Sequence, residues 1–182
     1  MSWGLLKPPA IFSKTISGEA ESVATPCKPM PRIAVKPTLQ KWNEATQHFD
    51  LNTFSAGAWS IPSMTLNPGE GVFVQPTTAT YFTFIGDVPQ GTLANPFPSG
   101  DSIRSSMVPQ TGPIDTFLGL PLINGDVIYR YDSAAGGYQG YLYSSDGQSY
   151  AWVPEVPVPR VGESFTIRTS APRTWTRSFT VW

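Results

Sequence analysis

The chain has 182 residues, of which 40% are hydrophobic, 13% aromatic and 14% charged, and its formal net charge is −1. This composition supports one folded domain and excludes a chain that is disordered through low hydropathy and high charge. No Lys- or Arg-rich run suggests nucleic-acid binding, and no apolar stretch reaches the length of a membrane span.

Residues 1–37 are predicted to form an extended or poorly ordered N-terminal arm. Proline and lysine are frequent there, and no period of 2 or 3.6 residues is sustained. Pro8 and Pro9 interrupt the first apolar residues, so we expect no signal peptide in this chain. Its localisation is left open.

Residues 38–182 are predicted to form a single all-β domain. Short aromatic and β-branched runs alternate with turns, and this pattern is typical of antiparallel sheets. Strands are expected in LQKW, HFDLNTF, GVFVQ, ATYFTFIG (79–86), SIRSSMV and several runs after residue 127. The segment PIDTFLGLPL is interpreted as one helical turn or as irregular apolar chain, because Gly119 and Pro121 prevent a long helix.

An internal repeat organises this domain. Matching residues are separated by 89 positions in the pairs Trp42/Tyr131 and Phe49/Tyr138. The separation is 93 positions in the pairs Trp59/Trp152, Gly69/Gly162 and Glu70/Glu163. The four additional residues fall within 141–150, a stretch containing a turn, where insertions are tolerated. Repeat A (39–86) and repeat B (128–181), joined by a connector (87–127), are therefore expected to share a core. The predicted architecture is an antiparallel sandwich or barrel built from two related β-units with a pseudo-twofold arrangement.

The Gly-Glu pairs of the two repeats allow two interpretations. Gly69 and Gly162 suit positive φ at a chain reversal. Glu70 and Glu163 then accept backbone N–H groups or pair with cations. Alternatively, the two carboxylates meet in one catalytic site, which makes them weak catalytic candidates.

The motifs PGEGxFxQ, VPQG, SxxSSxVPQxG and VGExF occur in this order within residues 39–181. With them the chain resembles an uncharacterised family of bacterial repeat proteins that are predicted to be secreted. Family members carry a longer first half, so the resemblance implies a truncated or re-initiated member. It implies no particular reaction, because none is established for the family.

Nucleophilic and metal chemistry have few candidate residues in this sequence. The only histidine, His48, lies in a polar turn, and no histidine follows Ser102 in the GDSI stretch, so a hydrolytic triad is not expected. With Cys27 as the only cysteine, a thiolate metal cage is excluded. Asp126, Asp132 and Asp146 lie in or beside Gly-rich turns and are weak candidate ligands for Ca²⁺, although turn chemistry alone explains them.

The most prominent candidate binding surface is the aromatic stretch YQGYLYSSDGQSYAW. Tyr141, Tyr143, Tyr150 and Trp152 would stack on sugar rings or pack against a partner if they face outward. We therefore expect a non-catalytic, β-rich interaction module that binds a glycan or a protein surface as a monomer or homodimer. An ester or lactone hydrolase, with or without Ca²⁺, and a structural cell-surface repeat are the alternatives.

Overall fold

The computed structural model of the protein describes residues 36–78, 88–132, 135–145 and 149–181. Within these ranges the chain forms eleven β-strands and no helix, which confirms the predicted all-β fold. The strands are β1 (Thr38–Asn43), β2 (His48–Ser55), β3 (Ala58–Trp59), β4 (Val72–Gln75), β5 (Gly91–Phe97), β6 (Gly100–Ser105), β7 (Val127–Asp132), β8 (Gly137–Ser145), β9 (Tyr150–Val153), β10 (Ser164–Thr169) and β11 (Arg173–Phe179).

The strands form three antiparallel sheets. The first sheet has the order β3-β2-β1-β4, the second β6-β10-β7-β8-β9, and the third pairs β11 with β5. The described part of the chain contains no helix long and apolar enough to cross a membrane. The arm predicted over residues 1–37 lies outside the described residues except for its last two, and the strand predicted over 79–86 lies outside them entirely.

The first and second sheets share one topology. The order β3-β2-β1-β4 is matched by β9-β8-β7-β10, and the second sheet adds β6 beside β10. Their first hairpins also share a register, since Trp42 lies opposite Phe49 and Tyr131 lies opposite Tyr138. The spacing of 89 positions noted in the sequence therefore joins residues that occupy equivalent places in two hairpins.

The connector predicted over residues 87–127 contains strands of its own. The sequence predicts a strand in SIRSSMV, which overlaps β6, but none at β5, which contains Asn95 and Pro96. Proline is tolerated because β5 pairs with a single neighbour, β11. Asn95 is buried, and its amide donates hydrogen bonds to the carbonyls of Gly69 and Ser105, so β5 ties the first sheet to β6.

The main hydrophobic core of the described residues lies between the second and third sheets. Residues 113–122 cross this core. They begin as a single turn, in which the amides of Phe117 and Gly119 donate to the carbonyls four residues earlier, and continue as irregular apolar chain, so they combine the two conformations predicted for them. Trp175 Nε1 donates to the Leu118 carbonyl at 2.7 Å. In strands β1–β4 the buried residue is Asn52. Among the described residues, the buried members of this core come from the connector and from repeat B. Its buried members are Phe97, Ile114, Leu118, Leu120, Ile128, Tyr141, Phe165, Ile167 and Trp175.

Candidate functional site

The aromatic residues predicted to bind a ligand divide between the core and the surface. Tyr141 is 4% exposed and belongs to the core, so its assignment as a binding residue is wrong. It points to the inner face of β8 together with its cross-strand partner Ile128. The residues 113–122 cover that face, and this packing cannot be deduced from strand alternation alone.

The other three predicted residues do form a cluster. The rings of Tyr143 and Tyr150 are parallel with centroids 5.0 Å apart, and Trp152 lies 5.1 Å from Tyr143. Trp152 Nε1 donates to Asp115 Oδ2 at 2.8 Å. Burial, with smaller contributions from Asp115 and Tyr150, raises the pKa of Tyr143. Trp152 also packs against the core, so Tyr150 provides most of the exposed surface of this cluster.

Glu70 and Glu163 close two equivalent turns. Glu70 Oε2 accepts hydrogen bonds from Asn67 N at 2.7 Å and from Lys41 Nζ at 2.8 Å. Glu163 accepts from Arg160 N at 2.9 Å and, through both carboxylate oxygens, from the guanidinium of Arg130. The glycine that precedes each glutamate has a positive φ, 86° in Gly69 and 74° in Gly162.

The two carboxylates are engaged separately and do not share a cavity. Glu70 lines a cleft of about 360 Å³ beneath the first sheet together with Lys41, Asp50 and Arg104, whereas Glu163 is not part of its lining. Burial opposes ionisation of Glu70, but the Asn67 amide and Lys41 outweigh this effect and lower its pKa. Each glutamate therefore stabilises a turn, and their proposed meeting in one catalytic site is not found.

The predicted calcium ligands are not brought together. Asp126 is 1% exposed, and its Oδ2 accepts hydrogen bonds from Ile123 N and from Arg173. Asp132 lies at the other end of β7, roughly 20 Å away for six residues of extended chain. Asp146 lies outside the described residues. Among the residues that the structure describes, no three His, Cys, Asp or Glu side chains are grouped to hold a metal ion.

Ser102 and His48 occupy unrelated surroundings. Ser102 is fully buried in the middle of β6, in agreement with the prediction that its stretch forms a strand. His48 is exposed at the start of β2. Neither residue has the access or the neighbour that a serine nucleophile requires.

A second aromatic surface, for which the sequence predicts no binding role, crosses from the first sheet to the second. Its five rings are in sequential contact, and we call them the aromatic row: Trp42, Phe49, Phe73, Tyr131 and Tyr138. The centroids are 4.9 Å apart for Trp42–Phe49, 5.8 Å for Phe49–Phe73, 6.1 Å for Phe73–Tyr138 and 5.2 Å for Tyr131–Tyr138. Every contact is edge-to-face, the arrangement that aromatic quadrupoles favour.

The aromatic row is partly open to solvent. Phe49 is 41% exposed, Tyr131 37% and Tyr138 54%. Burial, followed by the neighbouring Tyr131, raises the pKa of Tyr138, so its hydroxyl stays protonated and can donate a hydrogen bond at neutral pH. Strand alternation places Tyr131 and Tyr138 on the face opposite Tyr141. This alternation is the sequence signal from which a second aromatic face could be predicted.

One contact region fixes the first hairpin against β6 and thereby positions the row. Trp42 Nε1 donates to the Asp101 carbonyl at 2.8 Å. Gln47, in the turn between β1 and β2, donates to the same carbonyl and accepts from Asp101 N at 3.2 Å. The Asp101 carboxylate in turn binds Arg168, whose guanidinium lies 5.6 Å from the centroid of the Tyr129 ring. A polar group therefore borders the aromatic row beside Trp42.

Comparison with known proteins adds no relative: no family model, no curated protein and no solved structure matches the chain. The functional assignment therefore depends on the geometry of the aromatic row and its polar border.

Proposed function

We propose that this protein is a non-catalytic binding module that takes up a glycan on the aromatic row. The observation that carries the proposal is the unbroken series of five ring contacts across two sheets, with three rings partly exposed. A sugar ring has an apolar face of C–H bonds and a rim of hydroxyl groups. Aromatic faces beside hydrogen-bonding groups match both features.

The size of the row favours a glycan over a protein partner. An aromatic side chain presents about 150–250 Å², so the exposed fractions of Phe49, Tyr131 and Tyr138 amount to roughly 200–330 Å². A stable protein interface uses about 800 Å² on each partner. The exposed rings suit a ligand of a few sugar units, and a protein partner would need much additional surface.

The polar residues around the row also suit a glycan. Gln40 and Gln75 lie on the same face as Phe73, since Gln40 is paired with Phe73 and Gln75 follows two residues later. Amide groups donate and accept hydrogen bonds, as sugar hydroxyls require. Two charged residues at the border of the row, Arg168 and Asp101, form an ion pair and neutralise each other.

Matched alanine variants test this proposal by affinity electrophoresis and calorimetry against galactomannan, xylan and laminarin. We expect Phe49→Ala and Tyr138→Ala to weaken binding at least tenfold. Phe117→Ala, which removes an exposed ring outside the row, should leave binding unchanged. Tyr150→Ala removes the most exposed ring of the surface predicted from the sequence and should also bind normally.

Other outcomes would contradict glycan binding at the row. They are an absence of binding to every glycan, or equal losses in the control variants. If the wild-type chain instead dimerises in sedimentation experiments and Tyr138→Ala makes it monomeric, the row is a protein interface.

The two sheets also support the inference that repeats A and B are copies of one unit, as the resemblance to bacterial repeat proteins implies. They agree in strand order, in hairpin register and in the chemistry of the Gly-Glu turns. A structural repeat in a larger assembly is compatible with this inference, since the aromatic row needs both units.

A further inference from the structure

Arg168 is held in a fixed orientation at the border of the aromatic row. Its Nε donates to Asp101 Oδ1 at 2.8 Å, and its Nη2 donates to Oδ2 at 2.9 Å. The guanidinium also stacks on Tyr129. A bidentate pair with an aromatic support restricts the side chain although it is 59% exposed.

This ion pair is accessible to solvent, since the Arg168 side chain is 59% and the Asp101 side chain 24% exposed. Tyr129 lies two residues before Tyr131 on the same face of β7, and its cross-strand partner is Gly140. The Tyr129 ring lies over this glycine, since a Cβ added there would stand 3.4 Å from a ring carbon. Asp101 is linked to the row directly, through the hydrogen bond that Trp42 donates to its carbonyl.

On the basis of glycan binding at the aromatic row, we propose that Arg168 and Asp101 together bind two neighbouring hydroxyl groups of an uncharged sugar. Within the described residues, Arg168 Nη1 makes no hydrogen bond and remains available as a donor. The Asp101 carboxylate has acceptor capacity beyond its two bonds to Arg168. One hydroxyl accepts from Nη1, and the next donates to the carboxylate.

The charge of this pair selects the ligand class. An acidic sugar is attracted by Arg168 and repelled by Asp101, so it gains little over an uncharged sugar. An uncharged sugar with adjacent hydroxyls satisfies donor and acceptor together. The expected ligands are therefore neutral polysaccharides, and uronic-acid polymers should bind more weakly.

Charge-altering variants test the selectivity. Arg168→Gln should bind galactomannan about tenfold more weakly, because a charge-assisted hydrogen bond contributes on that scale. Asp101→Asn retains the backbone contacts to Trp42 and Gln47 but leaves a net positive charge. It should lose affinity for galactomannan and gain affinity for polygalacturonate. Arg160→Gln and Glu155→Gln, both at exposed positions and outside the contacts given above for the pair, are matched controls and should change neither affinity.

The results separate this inference from glycan binding itself. If Phe49→Ala and Tyr138→Ala lose binding while Arg168→Gln and Asp101→Asn behave as wild type, the hydroxyl-binding role is wrong and the glycan site stands. If Asp101→Asn binds polygalacturonate no better than wild type, the charge argument is wrong. If the wild-type chain binds no polysaccharide, both proposals are overturned. Amide NMR spectra of each variant verify that the fold is intact.

Discussion

Glu70 and Glu163 occupy equivalent positions in two turns that lie 93 residues apart in the chain. Each carboxylate accepts a hydrogen bond from the backbone N–H three residues earlier. Each also forms an ion pair with a cation on the first strand of the hairpin beside it, β1 for Glu70 and β7 for Glu163. The cations, Lys41 and Arg130, are themselves 89 residues apart. This correspondence identifies both glutamates as structural residues and makes them suitable for paired experiments.

Glu163→Gln should lower the free energy of unfolding by about 1–3 kcal/mol. The substitution removes the bidentate partner of Arg130, whose side chain is 23% exposed and would lose its counter-charge in a partly desolvated place. Urea denaturation monitored by tryptophan fluorescence measures the change. Glu155→Gln, at an exposed position, is the control, and an equal effect in both variants would show that the ion pair adds nothing.

Glu70 should make stability fall in acid. Burial opposes its ionisation, but the Asn67 amide and Lys41 outweigh burial, so its pKa in the folded chain is below the ordinary 4.5. The folded state therefore binds this proton less readily than the unfolded state does. The associated stability is present above pH 4.5 and is lost as pH falls through the lower, folded-state pKa. Glu70→Gln should reduce this pH dependence in urea denaturation between pH 3 and pH 6, and an unchanged slope would contradict the assignment.

Gly69→Ala should destabilise the fold far more than Gly57→Ala. Both glycines have positive φ, 86° and 82°, so both variants incur a backbone cost of about 1–2 kcal/mol. At Gly57 the added methyl group meets open space, whereas at Gly69 it would lie 2.3 Å from the side-chain amide nitrogen (Nδ2) of Asn95. Thermal unfolding of the two variants measures the difference. Similar melting temperatures would show that β5 yields easily at this contact.

Trp42→Phe should cost about 0.5–1.5 kcal/mol of stability. Phenylalanine keeps an aromatic ring beside Phe49 but lacks the Nε1–H that donates to the Asp101 carbonyl. Trp59→Phe is the matched control, because Trp59 lies at an exposed edge of the first sheet and should change stability by less than about 0.5 kcal/mol. Guanidinium denaturation of both variants tests this, and equal stabilities would show that the indole hydrogen bond does not hold the hairpin in place.

Local features of this fold could be predicted from the sequence. The β1–β2 and β7–β8 hairpins follow from apolar runs around short polar turns. The alternating burial along β11 follows from the alternation of apolar and polar residues in its sequence, with Trp175 buried between exposed Thr174 and Thr176. The reversals at Gly69 and Gly162 follow from glycine's freedom at positive φ. Each of these depends on residues within a few positions of one another.

Features that depend on distant contacts could not be predicted. β5 contains Asn95 and Pro96, and its conformation is stabilised by pairing with β11, about eighty residues later. Alternation separates Tyr138 from Tyr141, but it does not say which of the two faces the core. The packing of residues 113–122 decides this, and it buries Tyr141 while leaving Tyr138 exposed. Of the four predicted binding residues, Tyr141 is therefore in the core, whereas Tyr143, Tyr150 and Trp152 form a cluster that is partly exposed.

The two hydrogen bonds between Gln47 and the backbone of Asp101 have a consequence for how this surface could evolve. Gln47 lies in a four-residue loop and contributes no ring, yet its side chain links the first hairpin, which carries Trp42 and Phe49, to β6. Substitutions in that loop can therefore shift the aromatic row while every ring is retained. Under the proposed function, new ligand preferences could arise through a segment that does not contact the ligand.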